Sequence, residues 1–379
     1  MKPAAFISSR LRFRAALPVA AVALSFLVMI IAGAVSDGFR REIHRGIASF
    51  SGDIQLTAKG GDVLNGADPL TADSAEVAAI LALPQVESVQ EAVYRAGIIR
   101  HEGTIQGVIV KGIPDSGLGQ LDISVPSWLS ERLGIGEGDD MTTYFVGEEQ
   151  VRVRKFHVAR LHESILTSDD YPTVFARVED LRRLNGWTGS ESSALEVMLG
   201  DGHHDAAHID EAAWDVASCT RLVAMPLTRK YPQLFGWLEL LDLNVLLILL
   251  LMTLVAGFNM ISGLLIMLFR HVGTIGTLKS MGMGDGAIAG VFLRVASRIT
   301  LVGMAIGNAL ALLFCVIQGT AHLIRLNPVN YFVSFVPVAV NLPRVLLTDV
   351  AAYVLIMLLM LIPTLFIARV DPAKTVRAE

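Results

Sequence analysis

Four apolar stretches and their unequal spacing constrain this chain more than anything else in it. They cover residues 15–36, 241–269, 288–318 and 345–368. Each is about twenty residues or longer, enough to cross a hydrocarbon layer as a helix. Backbone groups in lipid must find partners inside their own segment, so a helix is the expected form of each. The first stretch stands apart from the other three, across the mostly polar residues 37–240. A chain built this way works at two places: a water-exposed insertion, and a short loop on the opposite membrane face.

Composition agrees. Of 379 residues, 53% are hydrophobic and 18% charged, and mean hydropathy is +0.54, above that of an ordinary soluble protein. A net charge of −5 offers nothing to nucleic acid. Lys2, Arg10, Arg12 and Arg14 precede the first stretch, Arg270, His271 and Lys279 follow the second, and Arg369, Lys374 and Arg377 follow the last. Basic loops stay inside, so these segments are expected to be cytoplasmic. The expected division is a cytoplasmic N-terminus at 1–14, a first span at 15–36, and an extracytoplasmic domain at 37–240. A second span at 241–269, a cytoplasmic loop at 270–287 and a third span at 288–318 come next. An extracytoplasmic loop at 319–344, a fourth span at 345–368 and a cytoplasmic tail at 369–379 complete it.

Ala32-Gly33-Ala34 imitates a signal-peptide cleavage site, but the apolar run exceeds the ~7–15 residues of such a core, and a retained helix is the reading. Cys219 lies in the polar domain and Cys315 in the third span, so there is no disulfide framework. The insertion must be stable through its own core, which its length allows.

Within the insertion, strand-like and helix-like pieces alternate. Strands are predicted at 52–57 and 151–161, and a helix at 74–83 stopping at Pro84. A hairpin over 89–113 turns at Glu102-Gly103. Strand–helix is predicted over 173–184, strand–helix–strand over 195–225, and an amphipathic connector over 226–237. The fold class is an α-helical membrane protein with four transmembrane helices and a large α+β extracytoplasmic domain inserted between helices 1 and 2.

No catalytic fingerprint is present. Without a Gly-x-x-x-x-Gly-Lys-Ser/Thr loop the chain is no ATPase by itself. It also has no nucleophile elbow and no zinc helix of the His-Glu-x-x-His kind. His203, His204, Asp205 and His208 form the one ligand-rich cluster, with His204 and His208 a turn apart. A solvated helix start is the better reading, because two ligands on one face do not fill a coordination sphere. No metal site is expected, though a membrane-anchored zinc enzyme remains a rival class. Asn259, Ser262 and Asn308 within the spans suit hydrogen bonds between helices, and Arg294 and Arg298 suit snorkelling. Met29 and Met260 read mainly as packing residues.

The loop RHVGTIGTLKSMGMGDGAI at 270–288 is no random linker. Ile275, Leu278 and Met281 recur as an apolar stripe, Lys279 lies on the polar side, and Gly282 and Gly284 end the pattern. Such a short amphipathic helix docks into a groove on a soluble partner or lies in the headgroups. Periodicity leaves both open.

Here the chain resembles a known family. Ile275-Gly276-x-Leu278-Lys279-x-x-Gly282 after an apolar span resembles the coupling-helix signature of FtsX-like ABC transporter permeases, also called the MacB type. Among these it is most similar to the lipoprotein-releasing permeases LolC and LolE. Gly38-Phe39-x-x-Glu42-Ile43, Gly52-x-Ile54-Gln55, Phe258-Asn259-x-Ile261-Ser262, Tyr331-Phe332-x-Ser334-x-Val336-Pro337-Val338 and Asp371-Pro372-Ala373-Lys374 carry the resemblance along the whole chain. The family often has an acidic residue where Thr274 stands, and commonly Asp at Ser334.

The resemblance implies a non-catalytic membrane subunit of the bacterial inner membrane, with both termini cytoplasmic and a MacB-like periplasmic core. It has no cofactor of its own; ATP and Mg are bound by a partner, a LolD-like cytoplasmic ABC ATPase dimer. Other implied partners are a second permease copy or related permease, membrane lipids, a lipoprotein substrate and a LolA-like periplasmic chaperone. Thr274, Ile275, Gly276, Leu278, Lys279, Met281 and Gly282 are then the ATPase-coupling residues. Val28, Met29, Phe258, Asn259 and Met260 are candidates for a lipid cavity, and Phe156, Val158, Arg160 and Leu161 for chaperone contact. An FtsX-like mechanotransmission scaffold regulating a cell-wall hydrolase and a MacB-like efflux permease are the alternatives within the family.

Overall fold

The computed structural model describes residues 16–66, 68–101, 103–114, 116–147, 151–163, 172–200, 205–326, 333 and 335–368. In chain order these form α1 (Ala16–Ser51), β1 (Ile54–Thr57), β2 (Leu70–Thr71), α2 (Ser74–Leu81), β3 (Val86–His101) and β4 (Thr104–Ile113). Next come β5 (Asp122–Pro126), α3 (Ser127–Leu133), β6 (Asp140–Val146), β7 (Val151–His162), β8 (Thr173–Arg177) and α4 (Val178–Asn185). β9 (Glu191–Ser192), β10 (Ala194–Leu199), α5 (Ala206–Cys219), β11 (Val223–Pro226) and α6 (Leu227–Lys230) follow. The chain then runs through α7 (Pro232–Arg270), α8 (Val272–Ser280), α9 (Asp285–Ala321), α10 (Leu342–Leu359) and α11 (Leu361–Ala368). The closing Asp371–Lys374 motif and Tyr331, Phe332 and Ser334 lie outside the described residues.

Two compact units emerge. The first comprises the chain up to Arg40, Leu238–Arg325 and the chain from Phe335 on; the second comprises Arg41–Trp237 and Leu326–Ser334.

Among the described residues, four helices are long and apolar enough to cross a membrane: Ala16–Ser51, Pro232–Arg270, Asp285–Ala321 and Leu342–Thr364. Hydropathy marks what suits lipid, not where a helix ends, so α1 runs on past residue 36 through the helix-forming Arg40, Arg41 and Glu42. The expected connector at 226–237 divides instead, because Pro232 starts α7, a position where its missing N–H costs nothing. Pro363 likewise cannot continue the α10 ladder, and the chain restarts as α11 with this proline in its first turn.

Lipid provides no hydrophobic drive between helices, so close contact must hold them. Val22, Phe26 and Met29 of α1 pack with Ala256, Met260 and Leu264 of α7, Phe292 and Ala296 of α9, and Ala352 and Ile356 of α10. Gly303 and Gly307 let α9 press on α1. A Cβ at Gly307 would sit 2.5 Å from the Ala23 carbonyl oxygen and 2.8 Å from Phe26 Cβ; one at Gly303 would sit 2.7 Å from Val22 Cγ1. Leu246, Leu247, Leu250 and Leu251 of α7 and Leu346, Leu347 and Val350 of α10 face outward, as a lipid-facing surface does.

The second unit is the α+β domain. Its nine-stranded sheet has the order β11-β1-β10-β3-β4-β8-β5-β7-β6, and a further β3–β6 pairing closes six strands into a ring. Val93, Ile99, Val108, Val110, Phe145, Phe156 and Val158 fill the ring with Leu181 and Leu184 of α4. A second core lies between β1, β10 and the helices α2 and α5, built on Ile54, Leu56, Ile80, Val197, Ile209 and Val216. The expected hairpin is β3–β4, paired from His101↔Thr104 to Val93↔Gly112. β5, β6 and α3 had no counterpart in the sequence reading.

Overpacking a well-filled contact costs roughly 1–3 kcal/mol. Gly307→Val should therefore lower the thermal midpoint of the detergent-solubilised chain. Gly290→Val, on the same helix with nothing within 4 Å of its Cβ position, should leave it unchanged.

Candidate functional site

The loop at 270–287 folds as the short helix α8. It is seated at its start by the His271 carbonyl, which accepts from the Ile275 N–H at 2.9 Å. It closes through N–H bonds from Gly282 to the Lys279 carbonyl (2.9 Å) and from Met283 to the Leu278 carbonyl (3.0 Å), with Gly282 at φ 85°. The apolar stripe does not face outward as a whole. Ile275 is 1% exposed and belongs to the core of its own unit, with Leu278 packed partly against it. Gly276 is buried as well. Lys279 is bound at 2.8 Å to Asp285, in the first turn of α9. The exposed face consists of Gly273, Thr274, Thr277, Ser280 and Met281, with Met281 at 79% exposure. Helical periodicity located the stripe; it could not tell whether the chain's own helices or a partner covers it.

The candidate cavity residues separate. Met29 and Met260 are buried in the helix core, Val28 is half-buried, and Phe258 and Asn259 are exposed on α7. A cavity of about 20 Å³ lined by Met29, Gly33, Asp37, Leu249, Arg344 and Thr348 has room for one water, not for an acyl chain. Asn308 does tie helices together, donating to Asp349 at 2.5 Å from α9 to α10. Among the described residues, Ser262 donates within α7, to the Phe258 carbonyl.

A charged clasp escaped the sequence reading. Arg40 of α1 pairs with Asp242 of α7, and Arg344 of α10 pairs with Asp37 of α1. Ser36 adds a bond to Asp242 at 3.2 Å. All are charged or polar residues at or just beyond the ends of apolar stretches, the one signal that was legible.

On β7, burial alternates only around Phe156 and Val158, the two residues that enter the core. Phe156 and Val158, expected to contact a chaperone, are 2% and 0% exposed, and Phe156 meets Phe145 edge-on at 6.2 Å between ring centres. The outward surface is Val151–Lys155, His157 and Arg160, with Leu161 half-buried. β7 is flanked by β5 and β6, so it offers side chains rather than a free edge. Arg160 donates to the Ser116 carbonyl at 3.1 Å. At the end of the strand, His162 Nδ1 lies 2.8 Å from Ser124 Oγ, and burial, then Arg160, lowers its pKa to about 4.

His203 and His204 lie outside the described residues, His208 pairs with Asp205, and the described residues contain no group of three or more metal-ligating side chains.

Residues 246–372 match the family of FtsX-like permease C-terminal domains. Two curated relatives, each a lipoprotein-releasing system transmembrane protein LolC from a strain of Xylella fastidiosa, are 24% identical to the chain. Each match covers 94% of this chain and 92% of the relative. Among solved structures, the periplasmic region of MacB from Actinobacillus actinomycetemcomitans is 12% identical with a TM-score of 0.31, covering 51% of this chain and 95% of that one. The extracellular domain of the ABC-type transporter YknZ from Gram-positive bacteria is 13% identical with a TM-score of 0.29, covering 46% and 98%.

His162 gives the β7 terminus a pH signature. The unfolded chain takes up this proton near pH 6.5 and the folded chain only near about 4, so stability rises with pH between those values. The contribution is complete above 6.5 and is lost as pH falls toward 4. His162→Phe should flatten the denaturant midpoint against pH within this window and leave higher pH unaffected.

Proposed function

We propose, from the premise that the chain carries an FtsX-like permease domain, that it is the membrane subunit of an ATP-driven lipoprotein-releasing machine. It lies in the bacterial inner membrane with both termini and α8 in the cytoplasm, where the basic segments belong. The polar domain is then periplasmic. A separate ATPase dimer supplies hydrolysis, since this chain has no phosphate-binding loop, and it holds the ATP and Mg. A second copy or a related permease completes the membrane part. A lipoprotein is drawn from the outer leaflet and handed to a periplasmic chaperone.

The observation that carries this reading is the extent of the match to relatives named for lipoprotein release, at 94% of the chain. It takes in the polar domain as well as the membrane helices. The energetics suit it: withdrawing acyl chains from a bilayer costs about 0.8 kcal/mol per CH₂, far beyond what a few surface contacts return. Thr274, Thr277 and Met281 are the ATPase contacts, and Ile275 and Leu278 hold their helix in place. Chaperone contact passes to the exposed part of β7, including Arg160 and Leu161, because Phe156 and Val158 are core.

Depleting the protein from cells should strand lipoproteins in the inner membrane; normal sorting after depletion would overturn the reading. For the docking face, Met281→Asp should cut copurification with the ATPase by about tenfold with an unchanged melting profile. Ile275→Asp should instead lower the melting temperature, since it places a charge in the helix core.

A further inference from the structure

The polar domain contains a buried ionic centre that neither α8 nor β7 uses. Lys111 on β4 and Glu196 on β10 are 1% and 4% exposed, with Lys111 Nζ 2.7 Å from Glu196 Oε2. An ammonium group has three protons to donate, and here each finds an acceptor: Glu196, the Phe50 carbonyl at 2.9 Å and the Ser49 carbonyl at 3.3 Å. Those carbonyls belong to the last turn of α1, where helix carbonyls lack partners and the helix dipole favours a cation. The Tyr94 hydroxyl reaches Glu196 and, at 3.0 Å, the Phe50 carbonyl. Burial and the Glu196 charge raise its pKa, which keeps its proton in place to donate.

Two further contacts draw the centre tight. Gly52 leaves α1 at φ 67°, a conformation suited to glycine, and a Cβ there would meet Glu196 Cβ at 2.9 Å. From α6, the turn just before α7, Lys230 Nζ donates to Gln55 at 2.9 Å and lies 6.0 Å from the centre of the Tyr94 ring. The segments by which the chain arrives from the first long helix and departs toward the second thus end on one cluster. The Gly52-x-Ile54-Gln55 motif is explained: Gly52 permits the approach to Glu196, Ile54 fills the core, and Gln55 receives Lys230.

A buried ion pair is seldom the most stable filling for a core; well-packed apolar residues often do as well or better. What an ammonium ion with three directed bonds adds is a fixed orientation of the groups it joins. We propose that Lys111 and Glu196 are positioning residues that lock the final turn of α1 to the sheet, so that displacement of this helix reaches the polar domain undiminished. This inference rests on the proposed role as an ATP-driven releasing permease. Lys111 is a helix cap as much as an ion-pair partner, so its charge is not interchangeable with that of Glu196.

The test uses the full chain with its ATPase in lipid nanodiscs, comparing Lys111→Met, Glu196→Gln and the exchange Lys111→Glu with Glu196→Lys. In Lys111→Met, amide hydrogen exchange over residues 48–53 should speed up about tenfold while α5 keeps its protection. ATP hydrolysis should stay near the parent rate, and lipoprotein release should fall about tenfold. The double exchange should not restore protection, because a carboxylate at 111 faces two carbonyl oxygens. Unchanged exchange at 48–53, or full recovery in the double exchange, overturns the lock. If Lys111→Met loses protection throughout the domain, Glu196→Gln decides by the same exchange readout. Should the parent complex release no lipoprotein, the functional reading fails, while the exchange measurements still decide whether the lock exists.

Discussion

Close contact between helices in lipid is the constraint on which the first unit depends. Water drives soluble cores together, but hydrocarbon does not distinguish a packed leucine from one facing acyl chains. The helices are therefore held by what brings backbones near one another and by a few polar ties. Gly303 and Gly307 let α9 settle against Val22, Ala23 and Phe26, and Asn308 joins α9 to Asp349. Large outward leucines add length and apolarity without adding adhesion. Specific contacts are consequently left to three places: the α8 face, the charged ends of the spans, and the polar domain.

The two ionic assemblies differ in what their environments allow. The Arg40–Asp242 and Arg344–Asp37 clasp is partly exposed, with side-chain exposures from 16% to 37%. Pairs of that kind are typically worth about 0–1 kcal/mol and weaken in salt. They can form and part as helices shift without a large energetic consequence. Lys111 and Glu196 are dry, and loss of either partner leaves a buried charge unmatched, a change typically worth about 3–5 kcal/mol. One assembly suits a contact that can open and re-form; the other suits a contact that persists.

Much of this architecture was legible in the sequence, for identifiable reasons. Spans are visible because lipid demands long unbroken apolarity. β3, β4, β7, α4 and α5 are visible because their sequences carry apolar residues at strand-like or helix-like spacing, bounded by turn residues. β5 and β6 were missed: their short runs border Gly and Asp, and only the closure of the ring makes them strands. Periodicity identifies an apolar face without saying what covers it. The family resemblance gave Ile275 and Phe156 to partners, yet each is buried in its own unit. The clasp and the Lys111 centre join residues far apart in sequence, a relation that local pattern does not carry.

The burial of Ile275 changes the character of α8. If the stripe were free, α8 would be an amphipathic peptide held by hydrophobic burial and able to lie equally well in headgroups. With Ile275 and Leu278 turned inward, α8 is fixed to its own membrane unit and cannot sink its apolar side into lipid. Lys279 is held by Asp285, and Thr274 is neutral. The exposed face of Gly273, Thr274, Thr277, Ser280 and Met281 is thus small, uncharged and fixed in place, with a single flexible thioether at its rim. On the proposed docking role, a partner groove would meet shape rather than charge, with Met281 as the adaptable contact. On that proposed role, firm seating is also what moving the helices would require, because a loosely attached element would yield before they did.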